Sequence, residues 1–179
     1  GTPGIPVTVN IVDEYWNVVS TGNGGDITAS ADVQITAYDT ANNPLALGIA
    51  SNVQGAGSFT AIIKKAADTY ALEAVDVSAT GYTTYINPNR VAIVPGPAVK
   101  LMMVMPGEVH APGTASGKET NLPSTQTAGV GFPVSVSTVD QYWNIVTNAS
   151  PKPQATMSCA TDQIATFSPV TATLSGGTG

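Results

Sequence analysis

The chain has 179 residues, of which 42% are apolar and only 10% charged, well below the usual quarter. That is enough to bury a core in one large domain or two small ones. Six Lys and Arg against twelve Asp and Glu give a net charge of −6, which argues against nucleic acid and against docking on anionic membranes, since both need clustered basic residues.

Helical periodicity is nearly absent along the chain. Its best candidate, 61–67, is crowded with Ile and Lys and sits in a strand-like context. Alternation of period two predicts strands instead. In the first run, PVTVNIVD, Val7, Val9 and Ile11 share one face and Thr8 and Asn10 the other. Further strands are predicted at 33–37, 58–63, 69–75 and 90–94. Between them lie TGNGGD, DTANNP, QGAG, ATGY and NPN, all rich in turn residues. Pro95-Gly96-Pro97 then stiffens a short linker. It separates a first domain, 1–96, from a second, 97–179. The run from Val99 opens the second domain as a strand, and Leu101 to Met105 within it reads as a core or edge strand rather than a Met-rich metal site, because metal ligation would want polar partners. The stretch 107–129 has no periodicity. Its length exceeds an ordinary loop, so it is a functional or a mobile excursion.

One segment is written twice. GIPVTVNIVDEYWNVVS, starting at Gly4, matches GFPVSVSTVDQYWNIVT, starting at Gly131, at ten of seventeen positions. The offset is 127 residues, from 4 to 131. Further on, 33–39 aligns loosely with 156–162, and QGAG at 54–57 matches GGTG at 176–179, an offset of 122. Such a period signals tandem copies of one module. On this reading the second copy stops before counterparts of the strands at 58–64, 70–75 and 91–94. The first copy lacks a counterpart of the strand at 99–105. An incomplete sandwich leaves a strand edge exposed. Short strands without helices point to an all-β class, sandwich or barrel.

The order of motifs resembles the bacterial immunoglobulin-like repeats of invasin- and intimin-type surface proteins, and related filamin-like repeats. Those carry a turn Asp-x-x-Gly-Asn-x-Val, matched here by Asp13, Asn17 and Val19 and again by Asp140, Asn144 and Val146. They continue with a Gly-rich turn before a Phe-Thr strand, matched by Gly57, Phe59 and Thr60, and with a Tyr strand ending in Asp, matched by Tyr70 to Asp76. The resemblance covers most of the chain, 107–129 excepted. It implies tandem immunoglobulin-like Greek-key β-sandwiches with the second incomplete, at a cell surface or secreted. It implies an adhesive or structural role beside neighbouring repeats or like subunits, without catalytic residues. The chain departs from the pattern at Trp16 and Trp143, which stand where the family has Gly. A bulky residue is penalised at positive φ, so the expectation is that Asn17 and Asn144 carry any left-handed conformation instead.

Candidate sites follow from residue chemistry. Asp13 and Asp140, joined by Asp39 or Asp76, are candidate calcium ligands at a domain junction. The plainer reading is Asx-turns, since calcium wants six to eight oxygens and these carboxylates are scattered in sequence. Tyr15, Trp16, Tyr142 and Trp143 suit a glycan-stacking platform. The competing reading is contact with a neighbouring domain, which every copy in an array needs. Tyr70 falls at a strand start and matches the tyrosine corner of Greek-key sandwiches. His110 reads as an exposed loop residue with no Ser–Asp partners. Cys159, the only cysteine, can form no disulfide within the chain. It aligns with Thr36 and reads as a small buried side chain. Glu108 and Glu119 lack the spacing of a glycosidase pair. Asn148 heads a glycosylation sequon that reads as chance in a bacterial chain. No two titratable groups converge, so an enzyme is not expected. The sequence holds no signal peptide and no apolar run of membrane-spanning length. The expectation is a non-catalytic extracellular module of a bacterial stalk, adhesin or fibre. The alternative is a carbohydrate-binding accessory module built on the Tyr-Trp pairs.

Overall fold

A computed structural model describes residues 4–19, 30–66 and 68–179 of the chain. The turn read at 21–26 lies outside them. The described residues hold eleven strands and no helix: β1 (Ile5–Asn10), β2 (Ser30–Tyr38), β3 (Pro44–Gln54), β4 (Ala56–Ala61), β5 (Asp68–Asp76), β6 (Tyr85–Ile86), β7 (Val91–Ile93), β8 (Lys100–Val104), β9 (Ser135–Val139), β10 (Gln154–Thr156) and β11 (Thr171–Thr173). Strand pairing is antiparallel throughout. The chain divides into two compact units. Unit one is Gly1–Ile63 with Asp68–Ile93; unit two is Lys64–Ala67 with Val94–Gly179.

Unit one is a two-layer, sandwich-like β structure. One layer is β1 paired with β4. The other runs β3-β2-β5-β6, with β7 also on β5. The alternation in β1 is realised: Ile5, Val7 and Val9 turn inward while Pro6, Thr8 and Asn10 face solvent. Ile11, Ala31, Val33, Ile35 and Val53 form one buried cluster, with Val9, Val19 and Phe59 packed on it. Ala37, Ile63 and Tyr70 form a second. Burying a side chain the size of Ile35 contributes about 2–3 kcal/mol, so these few residues dominate the stability of the unit. Arg90 ties β7 in place: its Nη2 donates to the carbonyls of Tyr38 (2.9 Å) and Thr69 (2.8 Å).

β3 was not legible as a strand. Its register against β2 shifts between Ala31/Val33 and again between Ile35/Thr36. Each shift places an extra residue on β3. Its inward residues Leu47, Ala50 and Val53 therefore recur at intervals of three instead of two.

Unit two is smaller in regular structure. β8 pairs β9 and β10 pairs β11. Val136, Ala155 and Leu174 form its core, with Met157 against them. β8 is the strand expected at 99–105, with Met102 buried and Leu101 and Met103 exposed. Residues 107–129 are irregular but internally bonded. Ala111 N donates to Gly117 O (2.8 Å) and Glu119 N to Val109 O (3.0 Å), and the Lys118 ammonium meets the Glu108 carboxylate at 2.6 Å.

The two aligned segments carry the same hydrogen bonds. Ile11 N donates to Gly55 O (2.7 Å) in unit one and Thr138 N to Gly177 O (2.8 Å) in unit two. Val19 N donates to Ile11 O (3.0 Å), and Val146 N to Thr138 O (2.9 Å). Val9 faces Gly57 in the β1–β4 ladder, and Val136 exchanges both backbone bonds with Gly179 at 3.0 Å. In these bonds the residues of the second segment stand 127 positions, and the glycines that pair with them 122 positions, after those of the first.

Candidate functional site: the Asp-Tyr-Trp-Asn turns

Each Asp-x-Tyr-Trp-Asn segment closes a hairpin with a three-residue loop. In the first, Asp13 N donates to Asn17 O (3.0 Å) and Trp16 N to Asp13 O (3.1 Å). The second repeats this with Asp140 N to Asn144 O (3.0 Å) and Trp143 N to Asp140 O (3.2 Å). Such a loop is a type I turn followed by one left-handed residue. The left-handed residue is the tryptophan in both, with φ of 67° at Trp16 and 69° at Trp143. The expectation that Asn17 and Asn144 take this conformation is therefore corrected. The asparagines are needed elsewhere, because their side chains and N–H groups bind the aspartate.

Asp13 Oδ1 accepts the N–H groups of Tyr15 and Asn17, both at 2.9 Å. Asn17 Nδ2 donates to Asp13 Oδ2 at 3.0 Å. Asp140 Oδ1 accepts Tyr142 N (2.8 Å) and Asn144 N (2.9 Å), and Asn144 Nδ2 donates to Asp140 Oδ2 (2.9 Å). A third loop of the same kind stands at Asp39–Asn43. There Asp39 Oδ1 accepts Asn43 N (2.8 Å), Asn43 Nδ2 donates to Asp39 Oδ2 (2.9 Å) and Asn42 has φ 63°. The sequence reading placed a turn at DTANNP but missed its kinship with the other two, although the Asp-x-x-x-Asn spacing was the available signal.

The first two turns differ in surroundings. Asp13, Tyr15, Trp16 and Asn17 are exposed, Tyr15 at 74% and Trp16 at 69%. Trp16 meets the Tyr85 ring edge-on at 5.8 Å. Asp140 and Asn144 are buried, at 2% and 4%. Asn144 holds the backbone of residues 64–66 at two points: its Nδ2 donates to Lys64 O (2.8 Å) and its Oδ1 accepts Ala66 N (2.7 Å). Asp140 Oδ2 also accepts Gly96 N at 2.9 Å. The Lys64 ammonium lies 5.8 Å from the Tyr142 ring centre, and that of Lys100 lies 3.3 Å above Trp143. The long loop covers the rest. Trp143 Nε1 donates to Ala115 O (3.1 Å), Gly113 N donates to Tyr142 O (2.8 Å), and His110 Nε2 sits 2.6 Å from Trp143 O. His110 is thus half-buried and bonded, not an exposed loop residue. Gly117 lies so close to the indole that a Cβ there would fall 2.4 Å from it.

Charge follows this geometry. Burial alone would raise the Asp140 carboxyl. The Asn144 amide and the N–H groups of Gly96, Asn144 and Tyr142 outweigh it and hold the group below its usual range. Asp13 is lowered as well, chiefly by the Asn17 amide. Asp76 is lowered furthest, by the hydroxyls of Ser78 (2.7 Å) and Thr80 (2.8 Å) and then by backbone N–H groups. All four candidate calcium ligands are therefore engaged in their own turns. Among the described residues no three His, Cys, Asp or Glu side chains converge on a point where a metal ion would fit.

The remaining candidates are scattered. Tyr70 is buried at the start of β5, 2% exposed. Glu108 is engaged by Lys118, and Glu119 by Asn121 Nδ2 at 3.4 Å. Cys159 is exposed, which corrects the expectation of burial. β10 ends at Thr156, so the register borrowed from Thr36 in β2 does not reach it. The Thr161 hydroxyl, 3.6 Å away, and the N–H groups of Asp162 and Thr161 hold the thiol below its ordinary pKa. No described helix is long and apolar enough to cross a membrane. No protein-family model, no curated protein and no solved structure matches the chain.

Proposed function

We propose that the chain is a non-catalytic structural segment of an extracellular bacterial stalk, adhesin or fibre, built from tandem immunoglobulin-like Greek-key sandwiches. One observation carries this reading: the two aligned segments share their hydrogen bonds residue for residue, from the strand through the Asp-Tyr-Trp-Asn turn to the closing glycines. A module that is written again with its backbone bonds intact serves length and stacking, because each copy needs the same contacts with its neighbours. Asp13, Asp39, Asp76 and Asp140 are each committed to a turn and Glu108 to an ion pair, which suits a scaffold better than proton transfer.

The test continues the second copy. Appending a copy of residues 58–98 after Gly179 keeps the 122-residue offset and supplies the strands that follow Gly57 in the first copy. The lengthened segment is expected to unfold as one cooperative transition at a higher temperature than the same segment without them. If it gained no cooperativity, the module reading would fail.

A second reading keeps support from the exposure of Tyr15 and Trp16: a carbohydrate-binding accessory module that stacks sugar rings on this pair. Titration with soluble polysaccharides, read by Trp16 emission in a Trp143→Phe background, separates the two. A saturable blue shift supports glycan binding, and a flat response removes it.

A further inference from the structure

The Asp140 turn is covered and the Asp13 turn is bare, although the two share one geometry. We propose that the Asp13–Asn17 turn is a docking site for a second copy of this module lying one 127-residue period upstream. Its occupant would be that copy's equivalent of the Lys64–Ala66 backbone and Gly96. The proposal rests on the tandem reading above.

Four observations carry it. First, Asn144 shows what the turn binds when covered: the carbonyl of Lys64 and the N–H of Ala66, on its Nδ2 and Oδ1. Asn17 is held to Asp13 as Asn144 is to Asp140, at 3.0 and 2.9 Å. Asn17 Nδ2 bonds only the two Asp13 oxygens, at 3.0 and 3.3 Å, and its Oδ1 has no partner among the described residues, whereas Asn144 spends both groups on the neighbouring backbone. Asp13 Oδ2 is likewise free of any backbone donor among those residues, where Asp140 Oδ2 accepts Gly96 N.

Second, the rings correspond. Tyr142 and Trp143 each receive a lysine ammonium, an attraction that strengthens as water is excluded. Their counterparts Tyr15 and Trp16 are exposed. Third, the charges match. The bare turn carries Asp13 and Glu14, and the segment that fills the covered turn carries Lys64 and Lys65. Fourth, the adjoining strand edge is open. β9 pairs with β8, whereas its aligned counterpart β1 pairs only with β4 among the described residues. A β8 equivalent from the upstream copy would fill that edge and remove an exposed row of backbone groups. Two-point main-chain recognition beside an added strand is a known mode of chain-to-chain docking.

The experiment uses the full chain with residues 1–127 repeated ahead of Gly1, which preserves the offset. Hydrogen exchange of the peptide spanning 12–19 in the downstream copy is compared with the original chain. It is expected to slow by about tenfold or more, with a blue shift of Trp16 emission. Asn17→Ala in the downstream copy is expected to abolish this gain while changing exchange of 12–19 little in the original chain. If the added copy folds cooperatively and 12–19 gains no protection, the docking site is overturned and the tandem reading stands. If the added copy does not fold cooperatively, the tandem reading fails and the docking site fails with it. If protection appears but survives Asn17→Ala, the two-point clasp is overturned.

Discussion

Trp16 and Trp143 share a left-handed backbone that costs a non-glycine residue about 1–2 kcal/mol, yet they recover it differently. Trp143 gains an indole N–H bond to Ala115 O and a lysine ammonium at 3.3 Å. Trp16 gains one edge contact with Tyr85, worth about 1 kcal/mol. Replacing each by Gly relieves the strain but removes these contacts. Trp16→Gly is expected to leave stability within about 0.5 kcal/mol of wild type, while Trp143→Gly lowers it by about 2 kcal/mol. Urea unfolding of the two variants checks the contrast, and equal losses would show that the lysine and the indole bond contribute little. The aspartates divide in the same way. Asp140→Ala removes the buried carboxylate that accepts the N–H groups of Gly96, Tyr142 and Asn144, and is expected to cost about 3 kcal/mol. Asp13→Ala, where water replaces the carboxylate, is expected to cost much less in the same measurement.

Among the elements, the long loop 107–129 acts as a cover for the second turn, and Gly117 is where its backbone meets the indole. Its φ is +75°, and a Cβ would sit 2.4 Å from the Trp143 ring. Gly117→Ala is expected to cost about 2–3 kcal/mol, combining strain and overpacking. Gly129→Ala is a control, with φ +78° and open space around the added Cβ. It is expected to cost only the backbone strain, about 1 kcal/mol. Thermal melts of the pair separate the contact from the conformation. Such a contact is invisible in sequence, because nothing in GTASGKET announces that a tryptophan 26 residues later, at 143 against 117, lies against it. What could be read was local. The alternation of β1 survives because no bulge interrupts its ladder with β4. The Asx geometry of Asp13 and Asp140 follows from carboxylates reaching N–H groups two residues on. β3 hid behind its two register shifts. The left-handed tryptophans hid behind a steric rule that tertiary packing overrides, and Cys159 was misplaced because an alignment was carried past the end of β10.

For the whole molecule, these turns and pairs set the response to pH. Asp13, Asp68, Asp76, Glu108 and Asp140 all have carboxyls lowered below their ordinary values. A lowered folded-state pKa means the unfolded chain takes up protons first. The stabilisation is therefore complete above the unfolded values, 3.8 for Asp and 4.5 for Glu, and is lost as pH falls through the folded ones. At the other limit, Tyr38 is raised, first by its 2.8 Å bond to Glu73 Oε2 and then by burial. Tyr70 is raised first by burial and then by the nearby carboxylates of Asp68 and Asp39. For a raised tyrosine the stabilisation is complete below its usual 10.0 and is lost as pH climbs through the folded value. The melting temperature is accordingly expected to be flat from about pH 5 to 9 and to fall on both sides. Asp76→Asn should make the acid limb shallower, because the carboxyl lowered furthest no longer titrates. Tyr38→Phe should make the alkaline limb shallower and leave the acid limb unchanged. Melts recorded from pH 2 to 11 on the three chains decide it. If the acid limb of the Asp76 variant overlaid that of wild type, the Ser78 and Thr80 hydroxyls would not be stabilising the charged carboxylate, and the acid sensitivity would have to come from the remaining turns.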